Sequence, residues 1–73
     1  MDKIKISLKA ARVNKKLKLK EAALILHITD RTLLNYETGK TIPNYEVVMK
    51  ISALYEIPAD YLFFERNIAK SDI

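Results

Sequence analysis

A chain of 73 residues without cysteine has room for one domain with a small core and no disulfide to staple it; a thiolate metal site is excluded as well, and the composition fits a reducing cytosol. One glycine and two prolines in a chain that is 49% hydrophobic favour packed helices over a β-rich or disordered polypeptide. The net charge of +4 is unevenly placed: Lys3, Lys5, Lys9, Arg12, Lys15, Lys16, Lys18 and Lys20 crowd the first 20 residues against Asp2 alone, which suits that end to a polyanion.

In chain order, Ile4 and Ile6 alternate with Lys3 and Lys5, a period of two that fits a brief extended segment on the core or a frayed terminus. Residues 1–20 hold no apolar run of the kind a signal peptide needs, and no stretch reaches the ~20 apolar residues of a membrane helix, so a soluble, cytoplasmic protein is expected. Ser7 is placed to cap a first helix over 8–16, with Leu8, Ala11 and the stem of Lys15 on one face. A second helix is predicted over 19–26 and a third over 30–37. Thr29 offers an oxygen to the free amides of the third helix, Asp30 suits the positive end of its dipole, and Gly39 can end it in a left-handed conformation. Pro43 and Asn44 introduce a fourth helix over 44–55, whose Val47, Val48, Ile51 and Leu54 recur at core spacing. Ile57-Pro58 breaks the chain before a short fifth helix, 59–64, presenting Tyr61, Leu62 and Phe63 or Phe64. Residues 65–73 read as a C-terminal tail. No strand is strongly indicated.

Taken together, Ala22-Ala23, the His27-Ile28 turn, Thr29, Leu33, Tyr36, Glu37, Gly39, Lys40 and Pro43 resemble the helix-turn-helix of the Cro and phage-repressor (Xre-like) family of bacterial DNA-binding regulators. The resemblance covers roughly residues 7–64 and is densest at 17–44. It implies an all-α, compact five-helix lambda-repressor-like domain over 7–64, with the motif at about 19–38. The implied function is a sequence-specific transcriptional regulator, a repressor of a bacterium, phage or mobile element, with its third helix in the major groove of double-stranded DNA. Ala23 would let the two motif helices approach closely, while Leu33 and Tyr36 face inward and Leu17, Leu26 and Ile28 complete the packing.

On the family pattern Asp30, Arg31, Leu34 and Asn35 contact base edges. Arg31 suits guanine O6 and N7, Asn35 suits adenine, Leu34 a thymine methyl and Asp30 the amino group of cytosine. Lys18, Lys20, Thr32, Lys40, Thr41 and Asn44 are the implied phosphate contacts, which fix register without specifying sequence. Arg12 and Glu37 are the implied structural ion pair, because a guanidinium fork can meet a carboxylate bidentately. The implied partners are a pseudo-palindromic operator and a second copy of the chain on DNA. No membrane, cofactor, metal or small-molecule ligand is expected.

The sequence departs from the family pattern at several places. Leu19 stands where a phosphate-binding glutamine is usual, Lys18 where a serine or threonine caps the second helix, and His27 where the turn glycine lies. Leu24 and Ile25 are apolar where polar residues are expected; they read as extra core contacted by Ile4, Ile6 or the tail, or else as an exposed interaction surface. Leu19, Leu24 and Ile25 motivate a rival function: a protein-interaction module on the same fold, antitoxin-like or antirepressor-like. Catalysis is not expected, because there is no cysteine, a single histidine, no Gly-rich phosphate loop, and no base partner for Ser7, Ser52 or Ser71.

Overall fold

A computed structural model of the chain describes residues 5–64, and its secondary structure follows from the chemistry of the helix ends. Ser7 accepts from the Ala10 amide at 3.0 Å and starts α1 (Leu8–Asn14). α2 (Leu19–Leu26) starts at Lys18, whose ammonium has no lone pair to offer the free amides. Instead the Glu21 carboxylate reaches back to the Lys18 amide at 2.8 Å, which is half of a capping box. Thr29 accepts from the Thr32 amide at 3.0 Å to start α3 (Asp30–Thr38), and Asn44 accepts from the Val47 amide at 2.9 Å to start α4 (Tyr45–Tyr55).

The four helices end in the same way. Lys16, His27, Gly39 and Glu56 all have positive φ, at 60°, 63°, 83° and 57°. The amide that follows each one turns back to a carbonyl of the last helical turn: Leu17 to Arg12, Ile28 to Ala23, Lys40 to Asn35 and Ile57 to Ser52, at 2.9–3.2 Å. These are the longer bonds of Schellman motifs. Only Gly39 enters the left-handed region without a Cβ penalty. The swing of Lys16 into that region is also why α1 stops at Asn14 rather than at residue 16.

Beyond Pro58 the expectation of a fifth helix is corrected. Ala59–Tyr61 form a single 3-10 turn, and Leu62–Phe63 (β2) then pairs in parallel with Ile6–Ser7 (β1), Ile6 opposite Leu62 and Ser7 opposite Phe63. The described chain therefore holds four α-helices and one minimal two-stranded sheet. A short apolar run such as Tyr61–Phe64 serves a helix face or a strand equally well. Here the backbone of β1 offers it hydrogen-bond partners, and an extended Leu62 (φ −85°, ψ 136°) buries its side chain. Ile4 and the tail 65–73 lie outside the described residues.

The core consists of Leu8, Ala11, Ala22, Ala23, Leu26, Leu33, Ile51, Tyr55 and Leu62. α2 and α3 make the most extensive helix contact, and the buried alanines of α2 leave no bulk to hold its neighbours away. Leu17, Ile28, Tyr36, Val47 and Leu54 pack around this centre. The expectation that Leu24 and Ile25 add to the core is also corrected. They stand 77% and 51% exposed, Leu24 on the side of α2 opposite Ala22, Ala23 and Leu26 and Ile25 on the flank of that face.

Candidate nucleic-acid interface

α3 is held at both ends. At its start the Thr29 hydroxyl accepts from the Thr32 amide and donates to the Thr32 hydroxyl at 2.8 Å. At its end Glu37 meets Arg12 of α1: Nε to Oε2 is 2.7 Å and Nη2 to Oε1 is 3.2 Å. The remaining guanidinium nitrogen, Nη1, donates to the Leu17 carbonyl at 2.9 Å. One side chain thus ties α1, the loop before α2 and the last turn of α3. The Arg12 and Glu37 side chains are only 12% and 4% exposed.

Hydrogen bonding to Glu37 outweighs the cost of burial and holds the Arg12 pKa above its ordinary value. Tyr55 shares this environment. Burial, reinforced by the negative charge of Glu37, pushes its phenol up to about 12. Its hydroxyl has no hydrogen-bond partner among the described residues.

The outer face of α3 carries the residues of interest. Arg31 is exposed, Leu34 is 38% exposed, and Asp30, Thr32 and Asn35 are half-buried. Asp30 lies in the first turn, where its charge suits the helix dipole. The Thr32 hydroxyl, with its lone pair already engaged by Thr29, keeps its own proton to donate.

Exposed cationic and polar groups lie on the neighbouring segments. Lys18 and Lys20 flank the start of α2. Lys40 and Thr41 are exposed on a loop whose two amides both bond the Asn35 carbonyl, at 2.9 and 3.3 Å, so that loop is fastened to α3. Asn44 uses Oδ1 to cap α4, which leaves its amide nitrogen as a donor. The structure thus joins Lys40, Thr41 and Asn35 directly, brings Arg12 to Glu37, and places Lys18 and Lys20 at the end of α2 that abuts the start of α3.

Two further residues take part here, Leu19 in a place other than a phosphate contact and Tyr55 with no counterpart in the sequence pattern. A shallow cleft beside α3 is lined by Leu19, Asp30, Arg31 and Leu34, so Leu19 belongs to the rim of this face. Tyr55, 1% exposed, is buried near enough to Arg12 and Glu37 to feel both charges. Of the apolar repeat Val47, Val48, Ile51 and Leu54 on α4, Ile51 is core and Val47 and Leu54 pack against it, while Val48 is half-buried outside that cluster; a tyrosine at the helix end gives no signal of equal strength.

A short helix, a tight left-handed turn at His27 and a second helix with an exposed donor in its first turn define a helix-turn-helix domain of the DNA-binding class. A family model described as a helix-turn-helix domain matches residues 6–67, most of the chain, and the chain belongs to that family, in keeping with the Xre-like pattern of its motif. No curated protein and no solved structure matches it. Among the described residues no helix is long and apolar enough to cross a membrane, and no cluster of His, Cys, Asp or Glu could hold a metal ion.

Proposed function

We propose that this protein is a sequence-specific transcriptional regulator, a repressor acting by occupancy of its operator, with the domain of residues 7–64 as its working unit. α3 lies in the major groove. Arg31 donates to guanine O6 and N7, Asn35 bonds adenine, Leu34 covers a methyl group and Asp30 accepts from a cytosine amino group. Lys18, Lys20, Thr32, Lys40, Thr41 and Asn44 hold the flanking phosphates. The observation that carries this reading is the exposed Arg31 on a helix whose last turn is fixed by the buried Arg12–Glu37 pair. A reading helix discriminates bases only if its frame does not move.

Two copies read the half-sites of a pseudo-palindrome about one helical turn, ~34 Å, apart. Selection from a random duplex pool tests this directly. Enrichment of a motif supports DNA reading, and its symmetry supports the dimer. If no duplex is enriched, the proposal fails.

One observation favours a second reading, a protein-interaction module. Leu24 and Ile25 are exposed, and Ile25 borders a shallow apolar groove with Leu26, Lys50, Ala53 and Leu54 between α2 and α4. Leu24→Lys together with Ile25→Lys separates the two readings. The DNA regulator keeps its operator affinity in that variant, whereas an interaction module loses its partner.

A further inference from the structure

Leu19 can neither donate to a phosphate nor cap a helix, yet it stands on the DNA-facing rim with Asp30, Arg31 and Leu34 around one shallow cleft. Its side chain is half-buried and packs against the core, which fixes its position. Leu34 completes the apolar lining at 38% exposure. The cleft therefore sets two leucine side chains beside a carboxylate and a guanidinium in one lining.

The bases of double-stranded DNA present one kind of apolar group in the major groove, the methyl on C5 of a pyrimidine. A phosphate gains nothing from a leucine. We infer that this cleft is a specificity pocket for one pyrimidine 5-methyl group, and that Leu19 reads a base in place of gripping the backbone. The inference rests on the DNA-reading function proposed above and deepens it.

The shared chemistry has two sources, thymine and 5-methylcytosine, and the carboxylate distinguishes them. The Asp30 carboxylate accepts from the amino group of a cytosine but meets the O4 lone pairs of a thymine unfavourably. A pocket that takes the same base Asp30 contacts is therefore a methylcytosine pocket. One that takes a neighbouring base is a thymine pocket. In either case Arg31 remains available to the guanine beside it.

The test uses the full chain and the duplex obtained by selection. Each thymine in the site is replaced singly by deoxyuridine, which lacks only the methyl, and each cytosine by 5-methylcytosine. Burying one methyl predicts a change of about three- to fivefold in Kd at one position per half-site. Leu19→Gln and Leu34→Ala each bring that ratio close to one. Because the ratio compares two duplexes on one protein preparation, loss of folded fraction in a variant cancels from it.

A deoxyuridine effect that depends on Leu19 identifies thymine, and a methylcytosine effect that depends on Leu19 identifies the modified base. A selected site at which no position responds, or responds equally in Leu19→Gln, overturns the inference and leaves the DNA-reading function standing. Failure to select any duplex overturns both.

Discussion

Arg12 and Glu37 lie 25 positions apart in the chain and meet through two contacts, 2.7 and 3.2 Å, while the third guanidinium nitrogen reaches the Leu17 carbonyl. The pair is almost wholly removed from solvent, so its attraction is offset by desolvation, and its net worth against an apolar pair is small. Breaking it is another matter. Glu37→Gln leaves a buried guanidinium without its counter-charge, at an expected cost of ~3–5 kcal/mol, a large part of the stability of so small a domain. Arg12→Lys should also destabilise, because one ammonium cannot reproduce the fork to Glu37 and the bond to Leu17. The double variant Arg12→Met with Glu37→Leu should recover most of the loss. Urea unfolding of the four proteins measures this, and a Glu37→Gln midpoint equal to that of the parent would contradict it.

Tyr55 supplies a prediction of opposite sign. Its buried hydroxyl has no partner among the described residues, so Tyr55→Phe removes an unsatisfied group and should leave stability unchanged or raise it by up to ~1 kcal/mol.

The same phenol sets a pH dependence. Its folded pKa, about 12, is raised above the ordinary value near 10. The unfolded chain therefore releases this proton first. The contribution of Tyr55 is complete below pH ~10 and is lost as pH climbs toward 12, by up to about 1.4 kcal/mol per unit. Melting temperatures recorded for the parent and Tyr55→Phe across pH 8–11 should diverge only at the alkaline end, with the parent falling faster.

The left-handed helix ends give a fourth prediction. Lys16, His27 and Glu56 each hold a Cβ where glycine would be relaxed. His27→Gly should stabilise by about 0.5–1 kcal/mol, the relief of strain being partly cancelled by the greater freedom of glycine when unfolded. Lys16→Gly gains similarly. Glu56→Gly gains less, since Glu56 also meets Lys15 at 3.2 Å on the surface, where such pairs are weak. Gly39→Ala runs the experiment in reverse and should destabilise by ~1 kcal/mol or more. Differential scanning calorimetry of the set ranks them, and a stable Gly39→Ala variant would refute the argument.

These ends also explain what was legible in the sequence. The bounds of α3 and the start of α4 follow from Thr29, Gly39, Pro43 and Asn44, residues whose local chemistry acts within one helical turn. The β1–β2 pairing is a contact between the two ends of the described chain, and nothing in the spacing of Tyr61 to Phe64 distinguishes a strand from a helix face. Leu24 and Ile25 misled for a related reason. Hydrophobicity marks a residue as fit for burial, but only the helix phase, set by Ala22, Ala23 and Leu26, decides which face is turned inward. At the candidate site, Arg31 is prominent as an exposed cation on a short helix. The place of Leu19 beside Asp30 and Leu34 depends on how α2 crosses α3, and periodicity within one helix does not carry that information.

Reading and gripping should separate cleanly in salt. In the proposed function Arg31 contacts a base and Lys40 a phosphate, and the two roles differ in thermodynamic signature. Each phosphate neutralised releases condensed counterions, so affinity falls with salt at a slope of about −0.9 per contact in a log–log plot. Lys40→Ala should weaken binding to every duplex alike and make the slope shallower by about one. Arg31→Ala should cost about 1–3 kcal/mol on the selected site, relax the preference at one base pair, and leave both the slope and non-specific binding nearly unchanged. Fluorescence anisotropy on selected and scrambled duplexes between 50 and 200 mM salt distinguishes the two variants. If Arg31→Ala lowers the slope and spares the specificity ratio, Arg31 is a backbone contact, and the reading of α3 must shift toward Asn35 and Leu34.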